Sequence, residues 1–231
     1  MFTNKFLKVA VGALGLGLAS ASQAAVISLD FENIGPYPNN NDIFVQDFYN
    51  GGTSSIGTSG TNYGISFSSN SLAICLNSTS VFCSNTSRGG QDPGSAEGGL
   101  FFLTGAESIM NVAAGFDTGF AFNYVSLSQP GSVSVFDGLD GTGNLLATLN
   151  LNPNAGSCPG YGAGFCPFSP IGVGFAGTAK SVSFAGVANQ IVFDDITFGA
   201  VTPPGETPVP ATLALFGLGL AGLGWTRRKK A

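Results

Sequence analysis

Residues 131–151 read Gly131-Ser132-Val133-Ser134-Val135-Phe136-Asp137-Gly138-Leu139-Asp140-Gly141-Thr142-Gly143-Asn144-Leu145-Leu146-Ala147-Thr148-Leu149-Asn150-Leu151. Val133 and Val135 alternate with Ser132 and Ser134, while Leu145, Ala147, Leu149 and Leu151 recur at every second position. A period of two places each apolar set on one side of an extended strand. Between the two runs, three glycines permit positive φ and Asp137, Asp140 and Asn144 supply short polar side chains that close turns. The stretch therefore reads as a β-hairpin with one face turned to a core.

The same period recurs on both sides of it. Ile27, Leu29 and Phe31 alternate with Ser28, Asp30 and Glu32, and Ile65 and Phe67 alternate with Ser66 and Ser68. Phe120, Phe122 and Tyr124 share a face, as do Val182 and Phe184. Helical periodicity is nearly absent, and Gly, Ser, Asn and Pro separate the runs. About ten strands of this kind fit an all-β domain over residues 25–201, a jelly-roll-like antiparallel β-sandwich that buries one face of each sheet. Twenty phenylalanines against a single tryptophan point to a core built on Phe. A β-barrel and a β-solenoid are the alternatives, and the lack of a fixed repeat period counts against the solenoid.

The two ends differ in composition from the centre. Lys5 and Lys8 precede an uncharged run from Val9 to Leu18, and Ala-Ser-Ala-Ser-Gln-Ala follows. A basic start, a short apolar stretch and small residues describe a signal peptide over 1–24, with Ser22 and Ala24 at the small positions and cleavage between Ala24 and Ala25. At the other end, a Pro-rich linker over 202–210 ends in Pro208-Val209-Pro210. Residues 211–231 then hold an uncharged stretch from Ala211 to Trp225 and the cluster Arg227, Arg228, Lys229 and Lys230. The prolines keep the linker extended and end the preceding strand. The apolar stretch is short for a stable span of about 20 residues, and its terminal cations favour the cytoplasmic side.

Charge and cysteine usage agree with export. Between Asp30 and Glu206 lie all thirteen acids and only two cations, Arg88 and Lys180, a net charge of −11. Such a surface repels phosphate backbones and argues against nucleic acid as a partner. Cys75, Cys83, Cys158 and Cys166 form two local pairs by spacing. Four cysteines allow three connectivities; local pairing is the simplest, and in an oxidising compartment each bridge adds about 2–3 kcal/mol. The spacing lacks Cys-x-x-Cys knuckles and the chain has no histidine, which disfavours a zinc site.

The combination of Pro208-Val209-Pro210, the apolar run and the basic cluster resembles the PEP-CTERM sorting signal of Gram-negative bacteria over Thr207 to Lys230. Val209 stands where that family's name implies Glu. The resemblance implies export, transient anchoring in the inner membrane, processing near Pro208–Pro210 by an exosortase, and a final place at the cell surface or in an extracellular matrix rich in exopolysaccharide.

The domain's opening, Leu29-Asp30-Phe31-Glu32-Asn33, and its close, Ile191-Val192-Phe193-Asp194-Asp195-Ile196-Thr197-Phe198-Gly199, resemble jelly-roll modules of such proteins and, more distantly, β-sandwich carbohydrate-binding modules. That resemblance implies a structural calcium held by acids of the first and last strands, here Asp30, Glu32, Asp194 and Asp195. Alternation alone places Asp194 on the side of Val192, Ile196 and Phe198, where a carboxylate needs a metal, a hydrogen-bond network or a β-bulge. Tyr37, Tyr49, Tyr63 and Tyr161 lie in or near loops and are candidates for stacking on sugar rings. With no histidine, His-dependent triads are excluded, and neither a Gly-x-Ser-x-Gly elbow nor a P-loop is present.

The expectation is a non-enzymatic, polysaccharide-associated surface protein. A two-carboxylate glycan hydrolase and a self-associating adhesive protein are the alternatives.

Overall fold

The computed structural model describes residues 26–36, 43–76, 98–156 and 164–204. The signal-peptide junction Ala24/Ala25, the sorting motif Pro208–Pro210, the apolar stretch expected to be helical and the basic cluster Arg227–Lys230 lie outside them. No helix among the described residues is long and apolar enough to cross a membrane.

The described residues include twelve strands: β1 (Ile27–Leu29), β2 (Ile43–Phe44), β3 (Ile65–Phe67), β4 (Leu72–Cys75), β5 (Gly98–Phe101), β6 (Glu107–Phe116), β7 (Gly119–Ser126), β8 (Gly131–Phe136), β9 (Leu145–Leu151), β10 (Ser169–Gly174), β11 (Ala179–Ala185) and β12 (Ile191–Phe198). They form two antiparallel sheets. One runs β10-β7-β12-β5-β4-β2, with β1 also paired to β12; the other runs β3-β6-β11-β8-β9. From β5 to β8, and again from β9 to β12, each successive strand lies in the opposite sheet. This alternation is the jelly-roll-like sandwich that the sequence predicts.

The inner faces meet as one Phe-rich core. Phe120, Phe122, Phe184 and Phe193 are fully buried. Phe184 and Phe193 meet edge to face at 4.8 Å, and Phe122 lies 5.7 Å from Phe193 and 6.1 Å from Phe184. Such pairs add about 0.5–1.5 kcal/mol each beyond the area they bury.

The quoted hairpin is present as β8 and β9, with Val133 opposite Leu149 and Val135 opposite Ala147. Its loop is fastened onto the sheet. Ser181 Oγ donates to Gly138 O at 2.6 Å, the Gly141 N–H donates to Ser181 Oγ at 3.0 Å, and the Asn111 side chain both donates to and accepts from Asp140. One detail departs from strict alternation. The register shifts between Val135 and Phe136, so Leu145 is exposed while Ala147, Leu149 and Leu151 face the core.

A larger departure concerns burial. All eight residues of β7 and all eight of β12 are buried, so the central strands of the larger sheet are covered on both faces. The second cover is a smaller apolar cluster in which Phe165 and Phe168 pack on Val125, Val192, Phe101, Leu72 and Ile74. The ordered chain continues past β12: Val201 passes close to Gly119 and Gly172, where a Cβ would collide with it, and Pro203 is buried.

Candidate functional site

The first and last strands of the domain are neighbours. β1 pairs antiparallel with β12, with Ile27 opposite Phe198, Ser28 opposite Thr197 and Leu29 opposite Ile196. This adjacency brings Asp30, at the end of β1, towards Asp195.

At that point β12 bulges. Asp194 lies opposite Asn123 of β7 and Thr197 lies opposite Ala121, so two residues of β12 face one of β7. The extra residue is absorbed at Asp195, which takes φ +48°. Aspartate tolerates this left-handed conformation better than most residues, and bulges bend a strand to re-aim its side chains. The bulge separates the apolar and polar positions that alternation had put together. Val192 belongs to the outer cluster, whereas Ile196 and Phe198 belong to the inner core.

Both carboxylates are almost wholly removed from solvent, with Asp194 1% and Asp195 3% exposed. Asp194 Oδ1 accepts the Asp195 N–H at 2.7 Å, and Asn123 Nδ2 donates to Asp195 Oδ2 at 3.2 Å. Thr197 Oγ1 donates to the Asp195 carbonyl at 2.7 Å and shares a hydroxyl–hydroxyl hydrogen bond with Ser28 Oγ at 3.2 Å, which ties the bulge to β1.

The turn after β1 completes the neighbourhood. Phe31 and Asn33 both take positive φ, and Asp30 Oδ1 accepts the Glu32 N–H at 3.2 Å. Glu32 Oε1 accepts the Gly98 N–H at 3.0 Å, holding the start of β5 against this turn. A Cβ at Gly98 would run into the Phe31 carbonyl, so the close approach requires glycine there. Tyr49 Oη accepts the Phe31 N–H at 3.1 Å. Burial, and then the negative charge of Asp30, hold the Tyr49 phenol well above the ordinary tyrosine range, with Asp194 a further contributor.

Asp30 and Glu32 thus lie in the turn after β1, and Asp194 and Asp195 lie on the strand that pairs with β1, β5 and β7. Two adjacent buried carboxylates have the hard oxygen donors that calcium takes. Among the described residues, however, no three acidic, cysteine or histidine side chains are drawn together closely enough to form a metal set. A cation here would need backbone carbonyls as further donors, and Glu32 is engaged with the Gly98 amide.

The four tyrosine candidates separate. Tyr49 is buried within the core, while Tyr63 is 37% exposed and stacks on it at 6.3 Å. Tyr37 and Tyr161 lie outside the described residues. Cys75 and Cys166 are both disulfide-bonded, and Cys83 and Cys158 lie outside the described residues.

A groove that strand periodicity does not reveal opens between the two sheets at the edges formed by β1 and β3. Its volume is about 490 Å³. Ile27, Ile65, Val112, Phe116 and Phe198 give it an apolar floor, and Tyr63, Asp117 and Thr178 stand at its exposed margin. A wide bulge shapes it. Between the pairs Phe116–Ala179 and Asn111–Ser181, residues 112–115 of β6 face Lys180 alone on β11. Gly115 takes φ +76°, and a Cβ there would come within 2.5 Å of Thr178 Cγ2. The signals in sequence are the Ala113-Ala114-Gly115 run inside a strand and an aromatic, Tyr63, just before a short edge strand.

The described residues form a β-sandwich domain, and residues 205–231 lie outside them. Residues 206–229 match the PEP-CTERM protein-sorting motif, so the chain carries that sorting signal after its β-sandwich domain. The motif marks it for export and exosortase-mediated sorting at the membrane of a Gram-negative cell.

No curated protein matches the chain. Among solved structures, a glycoside hydrolase family 43 arabinoxylan arabinofuranohydrolase from Bacillus subtilis, in complex with cellotetraose, aligns with 63% of this chain and 30% of its own at 16% identity and a TM-score of 0.35. The CBM22-1–GH10 modules of Clostridium thermocellum endo-1,4-beta-D-xylanase 10B, complexed with xylohexaose, align with 63% of this chain and 27% of their own at 13% identity and a TM-score of 0.33. The chain thus matches less than a third of either structure's length.

Proposed function

We propose that the protein is a non-enzymatic component of the cell surface or extracellular matrix that binds exopolysaccharide. On this reading the leader is removed between Ala24 and Ala25, and an exosortase processes the tail near Pro208–Pro210. The observation that carries the proposal is the sorting motif at residues 206–229 attached to an acidic all-β domain. A binding role is supported over hydrolysis by where the carboxylates lie. The pair Asp194 and Asp195 is buried, and among the described residues Asp117 is the one carboxylate lining the groove. Glycoside hydrolysis ordinarily uses two carboxylates facing one open cleft.

Retention of the exported protein on the producer's own exopolysaccharide tests this reading. Retention without release of reducing sugar is expected; absence of retention contradicts the binding role, and sugar release contradicts the non-enzymatic one.

Two structural features belong to the same proposal. Cys75 pairs with Cys83 and Cys158 with Cys166, which peptide mass mapping of the non-reduced protein checks. Calcium bound by acids drawn from Asp30, Glu32, Asp194 and Asp195 belongs to it too, with backbone carbonyls supplying most of the shell, since no three of these side chains converge. Chelation then lowers the melting temperature, and an unchanged melt contradicts the site.

A further inference from the structure

We propose that the groove between β1 and β3 is the glycan-contacting site, and that it takes a short segment of a neutral polysaccharide. The proposal rests on the exopolysaccharide-binding reading and assigns that binding a place.

The groove combines the two kinds of surface that a sugar presents. Pyranose rings have apolar C–H faces and polar hydroxyl edges. Tyr63 and the half-buried Phe116 offer aromatic surface, while Asp117 and Thr178 offer a carboxylate and a hydroxyl at the exposed margin. Convergent polar groups over an apolar floor are the usual make-up of a small-molecule site, and 490 Å³ falls within the roughly 300–1,000 Å³ typical of such sites.

The floor is rigid. Phe116 packs on Phe120, Phe175 and Phe198 at 5.9, 5.7 and 5.3 Å, and Tyr63 is backed by Tyr49. A preformed aromatic surface loses little conformational freedom when a ligand settles on it.

Charge selects the ligand. Among the described residues, Asp117 is the one carboxylate lining the groove and no lysine or arginine lines it; Lys180 lies beside the Gly115 wall, but the domain as a whole is strongly acidic. A uronate- or sulfate-bearing chain would meet repulsion, so a neutral glycan is the class that fits.

Ala114 is exposed on the groove wall, so a larger side chain there fills the groove without entering the core. The test compares the exported wild-type protein with its Ala114→Trp and Tyr63→Ala variants. Binding is measured to xylohexaose, cellohexaose, laminarihexaose and chitohexaose, and to an alginate oligomer as the polyanion. Thermal melts verify folding, and sizing verifies oligomeric state.

The expected result is wild-type binding to at least one neutral oligomer and weaker or no binding to alginate. Ala114→Trp lowers that affinity about tenfold or more, and Tyr63→Ala lowers it severalfold, while both variants keep a cooperative melt and the wild-type oligomeric state. If wild type binds and both folded variants bind equally well, the groove is the wrong place, although the binding reading stands. If Ala114→Trp changes only the oligomeric state, the groove is an interface between copies and the proposal falls. Preference for alginate overturns the charge argument. Wild type that binds neither these probes nor the producer's exopolysaccharide removes the reading and the groove together.

Discussion

Asp194 and Asp195 on β12, and Asp137 and Asp140 in the β8–β9 loop, are two acidic pairs at opposite extremes of environment. In each pair one aspartate has positive φ: Asp195 at +48° and Asp140 at +55°. In the loop, Asp137 lies at the surface and accepts the Asn144 N–H at 2.6 Å and Asn144 Nδ2 at 2.8 Å. Those bonds, the side-chain one first, hold the Asp137 carboxyl below its ordinary range. On β12 the carboxylates are enclosed between β1, β5 and β7. The same residue type therefore closes a solvated turn in one place and forms a costly buried junction in the other. The difference lies in the chain around each pair: a glycine-rich hairpin loop leaves water access, while a bulge in a central strand does not.

The strongest way to break this contrast is to remove a buried acid. Asp194→Ala leaves the Asp195 N–H without its acceptor, and a loss of about 2–3 kcal/mol is expected in urea unfolding. A loss no larger than that of Asp140→Ala would erase the distinction between the two regions.

The neighbouring phenol sharpens the contrast. Tyr49→Phe keeps the ring but removes the acceptor of the Phe31 N–H, at an expected cost of about 1 kcal/mol. It should also flatten the alkaline limb of stability. With its folded-state pKa raised, Tyr49 retains its proton while the unfolded chain loses one. Stability therefore falls as pH rises above about 10 in the wild type, and falls less in the variant. Identical alkaline melts of the two proteins would count against a buried, charge-flanked phenol.

The smallest effect is expected in the loop. Asn144→Ala should return the Asp137 carboxyl towards its ordinary titration, followed by carbon NMR of the side chain. The sign is that of a depressed carboxylate: its contribution is present above about pH 4 and lost as pH falls through the folded-state value. An unmoved titration would show that Asn144 does not set it.

These regions also show how far the sequence could be read. The hairpin was legible because Val133, Val135, Leu149 and Leu151 keep a strict period and the loop carries its own turn residues. The closeness of Asp30 to the end of β12 is a pairing across more than 160 residues, which no local pattern encodes; only the resemblance to jelly-roll modules suggested it. Alternation placed Asp194 with Ile196 and Phe198, and the bulge at Asp195 broke that phase. Period-two reading also assumes one solvated face, so it missed the cluster in which Phe165 and Phe168 cover the outside of β7 and β12. The groove stayed hidden for a related reason. It arises where residues 112–115 on β6 face a single residue of β11, a mismatch between strands rather than a motif within one.

The intact mass of the protein recovered outside its native host bears most directly on the whole account. A species beginning at Ala25 and lacking Arg227 to Lys230 is expected, with any modification at the processed end read in the same spectrum. Full-length chain carrying both terminal segments, found in the cytosol and absent from the exterior, would contradict it.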